Sequence, residues 1–162
     1  MIGSGERGIE RLYLDTSVFG GYFDAEFELW TKILFDKIIE GRYRVIYSEL
    51  TEKELTSAPT EVKNLLVSLN IADIEFIEVS KEAISLAEQY VEEKVVEKTS
   101  ISDCIHIALA TLHHADILVS WNFKHIVNIN RIRGYNSVNY KNGHKLLEIR
   151  TPREILEYEN EN

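Results

Sequence analysis

An α/β domain built on a mainly parallel sheet is what this 162-residue sequence predicts. Short apolar, β-rich runs alternate along the chain with longer segments of helical period, the pattern of sheets whose strands are joined by helices. Polar residues stand just past two of the runs, Asp15 after Leu12-Tyr13-Leu14 and Asn122 after Ile117-Leu118-Val119-Ser120-Trp121. In open parallel sheets the carboxyl ends of the strands are where sites are built.

The elements follow in order. Gly3-Ser4-Gly5-Glu6-Arg7-Gly8 spells a glycine fingerprint, but it precedes the first strand, whereas a dinucleotide-binding turn must follow a strand and open a helix. It reads as a tail over residues 1–10. Residues 11–15 form a strand. Residues 26–40 carry Phe27, Trp30, Ile33, Leu34, Ile38 and Ile39 at helical spacing, and Gly41 stops that helix. Residues 43–47 read as a strand, Thr51 starts a helix running towards Pro59, and residues 61–69 form another. Residues 74–79 are β-rich, and Ser80 caps a long helix to about residue 97. Ser100 opens a helix with Ile101, Ile105, Ala108, Leu109 and Leu112 on one face, and residues 116–120 return to a strand. Residues 123–139 are polar and helical in part, residues 146–149 suit a last strand, and Pro152 opens a terminal helix. One domain over residues 11–156 is expected, with tails at 1–10 and 157–162 and no repeat or linker.

Composition narrows the function. A hydrophobic content of 44% and a charged content of 28% suit a soluble globular domain. The lone Cys104 excludes an intrachain disulfide. No window is apolar enough for a membrane span, and the N-terminus has no basic and apolar blocks of a secretory signal, so a cytoplasmic protein is expected. The net charge of −9 argues against indiscriminate nucleic-acid binding. Its distribution is uneven. Residues 117–153 hold seven basic side chains (Lys124, Arg131, Arg133, Lys141, Lys145, Arg150 and Arg153) against Glu148, a charge of +6 that leaves −15 elsewhere. An acidic body with a basic C-terminal quarter fits either a metal site beside a phosphate-binding edge or a solvated helix face.

Three carboxylates could carry chemistry, and each has a structural alternative. Asp15 leaves a buried strand, where a carboxylate must be paired, hydrogen-bonded or cation-bound; it is also well placed to cap the next helix. Glu54 lies one turn beyond Thr51, a spacing that fits a capping box, with Glu49 and Glu52 as rivals. Asp103 stands in the same relation to Ser100 and points away from the apolar face. His106, His113, His114 and Cys104 lack a ligand pair at zinc spacing. His106 lies one turn after Asp103, where it suits support of a metal ligand or an ordinary hydrogen bond. Asn122 offers a carbonyl to a metal or to its own loop. Tyr135, Asn136, Asn139 and Tyr140 stand among the basic residues and suit either base stacking or packing.

Taken together, Asp15-Thr16-Ser17, Ser48 with Glu54-Leu55, Asp103-Cys104-Ile105-His106-Ile107-Ala108-Leu109-Ala110 and Ser120-Trp121-Asn122 resemble, in order and spacing, the motifs of the PIN domain, the nuclease fold of VapC-type toxins. Trp121-Asn122-Phe123-Lys124-His125 and Thr151-Pro152-Arg153-Glu154 are similar to one VapC-like branch, and the resemblance spans about residues 12–156. It implies a three-layer α/β/α domain with a mainly parallel central sheet, and metal-dependent hydrolysis of RNA by the toxin of a type II toxin–antitoxin pair. It further implies Mg²⁺ or Mn²⁺ held by Asp15, Glu54, Asp103 and Asn122, with Thr16, Ser17 and Ser120 hydrogen-bonding around the site. An antitoxin protein and a homodimer are the partners it implies. Asn122 departs from the pattern, since many members carry Asp there; the change removes a charge and favours, as the alternative, a PIN-like RNA- or protein-binding module of little activity. Lys124, Arg131 and Arg133 are the expected RNA-facing residues. A phosphatase with Asp15 as nucleophile is disfavoured, because Ser17 stands where a second Asp would be needed.

Overall fold

The computed structural model describes residues 8–97 and 100–160. A run of apolar residues that alternates between two faces sets the architecture. In β1 (Glu10–Leu14), Leu12 and Leu14 enter one hydrophobic cluster while Tyr13 between them enters the other. The same period of two recurs in β2 (Tyr43–Ser48), with Val45 on one side and Ile46 on the other, and in β4 (Ile117–Val119), with Leu118 opposed to its neighbours. With β3 (Ile74–Ile77) and β5 (Glu148–Arg150), these strands form a five-stranded sheet of order β3-β2-β1-β4-β5. Every pairing is parallel. Strands apolar on both faces need helices on both faces. One layer holds α6 (Lys81–Glu92), α7 (Ile101–Leu112) and α8 (Ile129–Lys141), which contribute Leu86, Ile107 and Tyr135 to that core. The other holds α1 (Thr16–Gly21), α2 (Glu28–Ile39), α3 (Glu49–Leu55), the short α4 (Thr60–Lys63) and α5 (Leu65–Ser68), and α9 (Pro152–Asn160). The expected three-layer α/β/α fold is the observed one.

Topology decides where a site can lie. The chain steps outward from β1 through β2 to β3, then returns to lay β4 and β5 on the other side of β1. The carboxyl ends of β1 and β4 are therefore a switch point, from which the following segments diverge and leave a crevice. Asp15 continues β1 into it, its N–H donating to Val119 O at 3.2 Å. Ser120 continues β4, its N–H donating to Arg150 O at 3.1 Å.

Several element boundaries differ from the sequence reading. Helix α3 starts at Glu49, with Ser48 as its cap accepting the Thr51 N–H at 3.1 Å, so Thr51 is not a cap and Glu54 stands in the last turn. The strand end and the helix start are one residue apart there, too close for a periodicity argument to separate. The helix read over residues 61–69 breaks at Asn64 into α4 and α5. Ser80 does cap α6, accepting the Ala83 N–H at 3.1 Å, but that helix ends at Glu92. Gly41, at φ +82, stops the α2 segment as expected, its N–H donating to Ile38 O. The terminal helix α9 runs through residues assigned to a tail, because Ile155 and Leu156 pack into the core and carry it on. The glycine-rich stretch at residues 3–8 falls almost wholly outside the described residues. No helix among the described residues is long and apolar enough to cross a membrane.

Trp121 pins the crevice from behind. Its indole N–H donates to Thr31 Oγ1 at 2.9 Å, and its ring stacks on Phe27 with centroids 4.4 Å apart. Gly21 makes room for it: a Cβ there would lie 2.7 Å from the indole Cδ1 and Nε1. Gly21→Ala is therefore expected to push the indole off Thr31 and to destabilise the fold by about 1–3 kcal/mol, read as a lowered denaturant midpoint at unchanged slope.

Candidate active site

The buried carboxylate at the end of β1 organises the crevice. Asp15 is 3% exposed. It occupies the cap position of α1 but makes no side-chain cap bond; its carboxylate instead accepts Ser17 Oγ–H on Oδ1 and Ser120 Oγ–H on Oδ2, each at 2.6 Å. The protons of both hydroxyls are directed by backbone. Ser17 Oγ accepts the Trp121 N–H at 2.9 Å and Ser120 Oγ accepts the Asn122 N–H at 2.9 Å, which leaves each hydroxyl to donate to Asp15. Burial pushes the Asp15 carboxyl above its ordinary range, against the opposing effects of the His106 charge and the two serine bonds.

Glu54 reaches the site from α3. Its Oε1 accepts Thr16 Oγ1–H at 2.7 Å and lies 2.6 Å from His106 Nε2. Partial burial raises its pKa, but the bonds and charge of His106 and the bond from Thr16 outweigh that and hold the carboxyl below its usual range. Asp103 arrives in the first turn of α7. Burial raises its pKa, His125 and His106 oppose the rise, and the charge of Glu54 adds to it. Ser100 does not cap α7 with its side chain; its Oγ faces His125 Nδ1 at 3.3 Å.

His106 joins the three carboxylates, acting electrostatically on Asp15, Glu54 and Asp103 alike. It is 2% exposed, and its Nδ1 lies 2.6 Å from Tyr13 Oη. Tyr13 Oη donates to Ser48 Oγ at 2.8 Å. Burial holds the Tyr13 hydroxyl well above the ordinary phenol range. Sequence reasoning placed His106 near Asp103 and set Ser48 with Glu54, but missed Tyr13. The only available signal was a phenol in the middle of an otherwise aliphatic strand.

Asn122 sits beside these groups with its amide turned. Its Oδ1 accepts the N–H groups of Lys124 at 3.2 Å and His125 at 3.0 Å, while its Nδ2 faces Asp103 Oδ1 at 3.4 Å. That is an Asx-type turn whose free end points into the site.

The donors suit a hard cation: three carboxylates and hydroxyls, with no thiolate among them. Burial lifts the Cys104 thiol to about 12, which removes it as a soft ligand. Among the described residues no group of three or more His, Cys, Asp or Glu side chains is gathered closely enough to enclose a metal. The fit is therefore to an ion such as Mg²⁺, which takes one or two carboxylates and keeps much of its water.

The basic quarter does not form one rim. Arg131 Nη1 donates to Val95 O, Lys141 pairs with Glu93 at 2.8 Å and Arg153 with Glu157 at 2.7 Å. Arg150 lines a cleft of about 1060 Å³ with Glu10, Asp116 and Glu148, which lies away from Asp15, Glu54 and Asp103. Tyr135 and Asn139 are fully buried, and Tyr135 Oη donates to His125 O at 2.8 Å, so these two are core residues rather than a stacking surface. Lys124, next to Asn122, and Arg133 are exposed. The sequence run was contiguous, but helix α8 and strand β5 send its members to different sides.

The chain matches the PIN domain over residues 12–124 and belongs to that family. Solved structures share the fold at low identity. VapBC2 from Rickettsia felis, bound to a DNA fragment from its promoter, is 14% identical, with 87% of this chain and 98% of that one covered and a TM-score of 0.52. VapC20 of Mycobacterium tuberculosis, a sarcin–ricin loop cleaving toxin, is 12% identical over 70% of this chain and 91% of its own, with a TM-score of 0.54. A toxin–antitoxin complex from Klebsiella pneumoniae is 18% identical over 70% and 88%, with a TM-score of 0.50. Comparison with curated protein sequences finds no match.

The buried charge of Asp15 has a measurable consequence. A carboxyl whose pKa is raised by folding favours the folded state when protonated and opposes it when ionised. Asp15→Asn is expected to melt higher than the wild type at neutral pH. The difference should shrink as pH falls through the raised pKa and vanish near the ordinary aspartate range, about pH 4. Melting temperatures of both proteins across that range check the sign.

Proposed function

We propose that this chain is a metal-dependent endoribonuclease, the toxin of a type II toxin–antitoxin pair. The observation that carries the reading is the meeting of Asp15, Glu54 and Asp103, from three separate segments, around His106 at the β1–β4 switch point. Membership of the PIN family supports a nuclease. VapC20, VapBC2 and the Klebsiella complex, as relatives in fold, support a toxin that an antitoxin binds. A two-fold homodimer, in which one patch would serve both subunits, belongs to the same proposal.

Mg²⁺ or Mn²⁺ would be held by one or two carboxylates drawn from Asp15, Glu54 and Asp103, with water completing its shell. The bound ion supplies Lewis acidity, polarising a phosphate oxygen and lowering the pKa of a water towards neutrality. The remaining work belongs to side chains. Ser17 and Ser120 aim the Asp15 oxygens, and Thr16 steadies Glu54. Glu54 stays ionised and presents Oε2 as a proton acceptor. Asn122 donates towards Asp103, since its own oxygen is already taken by two backbone N–H groups. Lys124, exposed and two residues past Asn122, would meet the phosphate backbone, with exposed Arg133 as a further contact.

One observation favours a second reading, a PIN domain that binds RNA or protein without robust cleavage. The amide of Asn122 faces Asp103 where a further carboxylate would strengthen cation binding. Incubation of the purified protein with an RNA pool and Mn²⁺ separates the two. Cleavage that disappears in both Asp15→Asn and Asp103→Asn, with each variant still folded and melting cooperatively, supports the nuclease. Absence of cleavage, with RNA retained on the protein, supports the binding module.

Asn122→Asp tests the fourth position separately. The variant sets a carboxylate against Asp103, so the metal-free protein is expected to lose a few degrees of melting temperature at neutral pH. Mn²⁺ should relieve that repulsion and bind several-fold tighter than to the wild type. Calorimetric Mn²⁺ affinity equal to or weaker than that of the wild type would remove Asn122 from the metal's surroundings.

A further inference from the structure

We propose that His106, anchored by Tyr13, is a positioning residue that fixes the Glu54 carboxylate at the edge of the acidic site. This rests on the nuclease reading above and extends it to two buried residues to which that reading gives no role. The geometry is a buried chain of hydrogen bonds. Ser48 Oγ caps α3 through the Thr51 N–H and sits 3.1 Å from Thr51 Oγ1. Tyr13 Oη bonds Ser48 Oγ at 2.8 Å and His106 Nδ1 at 2.6 Å, and His106 Nε2 bonds Glu54 Oε1 at 2.6 Å. Glu54 is itself on α3, the helix that Ser48 caps. The chain therefore closes a loop from the first turn of that helix, through β1 and α7, to its last turn.

The chemistry assigns the ring its direction. An ionised carboxylate can only accept, so His106 Nε2 carries a proton; the Tyr13 hydroxyl proton goes to Ser48, so Tyr13 Oη faces Nδ1 as an acceptor. The Tyr13 ring meets the imidazole edge-on at 5.7 Å, so the ring plane is packed as well as bonded. Ile107 and Leu109 on the same helix fill their core positions with aliphatic side chains. Here a phenol and an imidazole are buried, both fully bonded, and the last bond falls on a side chain still 35% exposed. Among the described residues, both donors to Glu54, Thr16 and His106, fall on Oε1. Oε2 is the oxygen this leaves for a cation or a water. A long, half-exposed glutamate thereby presents one oxygen in one orientation, the role of outer partners that aim a metal's ligands.

The test uses the full chain with Mn²⁺ as the probe, read by calorimetry and by melting temperature, with steady-state cleavage of an RNA oligonucleotide alongside. His106→Leu is expected to lower Mn²⁺ affinity about tenfold or more, and Tyr13→Phe to lower it by less. His106→Gln, whose amide can still donate to Glu54, should recover affinity to within a few-fold of the wild type. In a Glu54→Gln background, His106→Leu should cost no further affinity, because the residue acts through Glu54. Loss of kcat with little change in KM would accompany these effects. Should His106→Leu misfold, Tyr13→Phe and His106→Gln carry the same comparison. A wild type that binds Mn²⁺ and loses it in Asp15→Asn, but binds it equally well in His106→Leu, overturns the positioning role alone. An equal loss from His106→Leu in the wild-type and Glu54→Gln backgrounds overturns it too. A wild type that neither binds Mn²⁺ nor cleaves RNA overturns the nuclease reading and this proposal with it.

Discussion

The carboxylate of Asp15, clamped between the hydroxyls of Ser17 and Ser120, is the constraint on which the crevice depends. It joins the ends of two strands far apart in sequence, β1 and β4, at the place where the sheet changes direction. An ionised group so deeply buried is costly unless every nearby dipole favours it. Each clamp hydroxyl is oriented by a backbone N–H of the β4 extension. Carboxylate, hydroxyls and strand ends thus form one hydrogen-bonded unit. Trp121, which supplies the first of these N–H groups, ties the unit to α2 through Thr31.

Around this centre the site is arranged by mutual repulsion and its relief. Three carboxylates share the field of one imidazole, and burial and the charge of Glu54 make Asp103 harder to ionise. The protein answers with imidazoles rather than with lysine or arginine: His106 bears on all three carboxylates and His125 on Asp103. A long cation would fill the crevice, whereas a ring within α7 compensates the charge from behind and leaves the front open. Incomplete compensation would favour the divalent ion proposed for this site. The local structure thus accepts a lower intrinsic stability where the chemistry is proposed to occur.

Much of the fold was legible along the chain. The two-faced apolar strands and the helix-period segments between them imply a parallel sheet covered on both sides. The capping role of Ser80 and the stop at Gly41 were local events read from local residues. The acidic residues were legible as a set through their order and spacing, though singly each looked like a cap. What misled were capping boxes. Thr51 with Glu54 and Ser100 with Asp103 have the right spacing, but both carboxylates are drawn to partners on other segments, His106 and Asn122 among them. The basic run misled for a related reason. Charge counted along a sequence carries no direction, and α8 and β5 distribute its residues over separate surfaces.

By itself, then, the sequence determined the class of fold, the strand ends that carry polar residues and the family of the chain, because these follow from apolar periodicity and from motifs a few residues long. Only the tertiary structure decided the strand order that sets β1 beside β4. It alone brought Glu54 and His106 within hydrogen-bonding distance and turned the Asn122 amide towards Asp103. The Tyr13 relay was likewise a tertiary outcome, since a phenol in a strand has no partner until a helix almost a hundred residues later packs over it. Local patterns decide which groups point inward. The partners they find there depend on long-range packing, which no local pattern encodes.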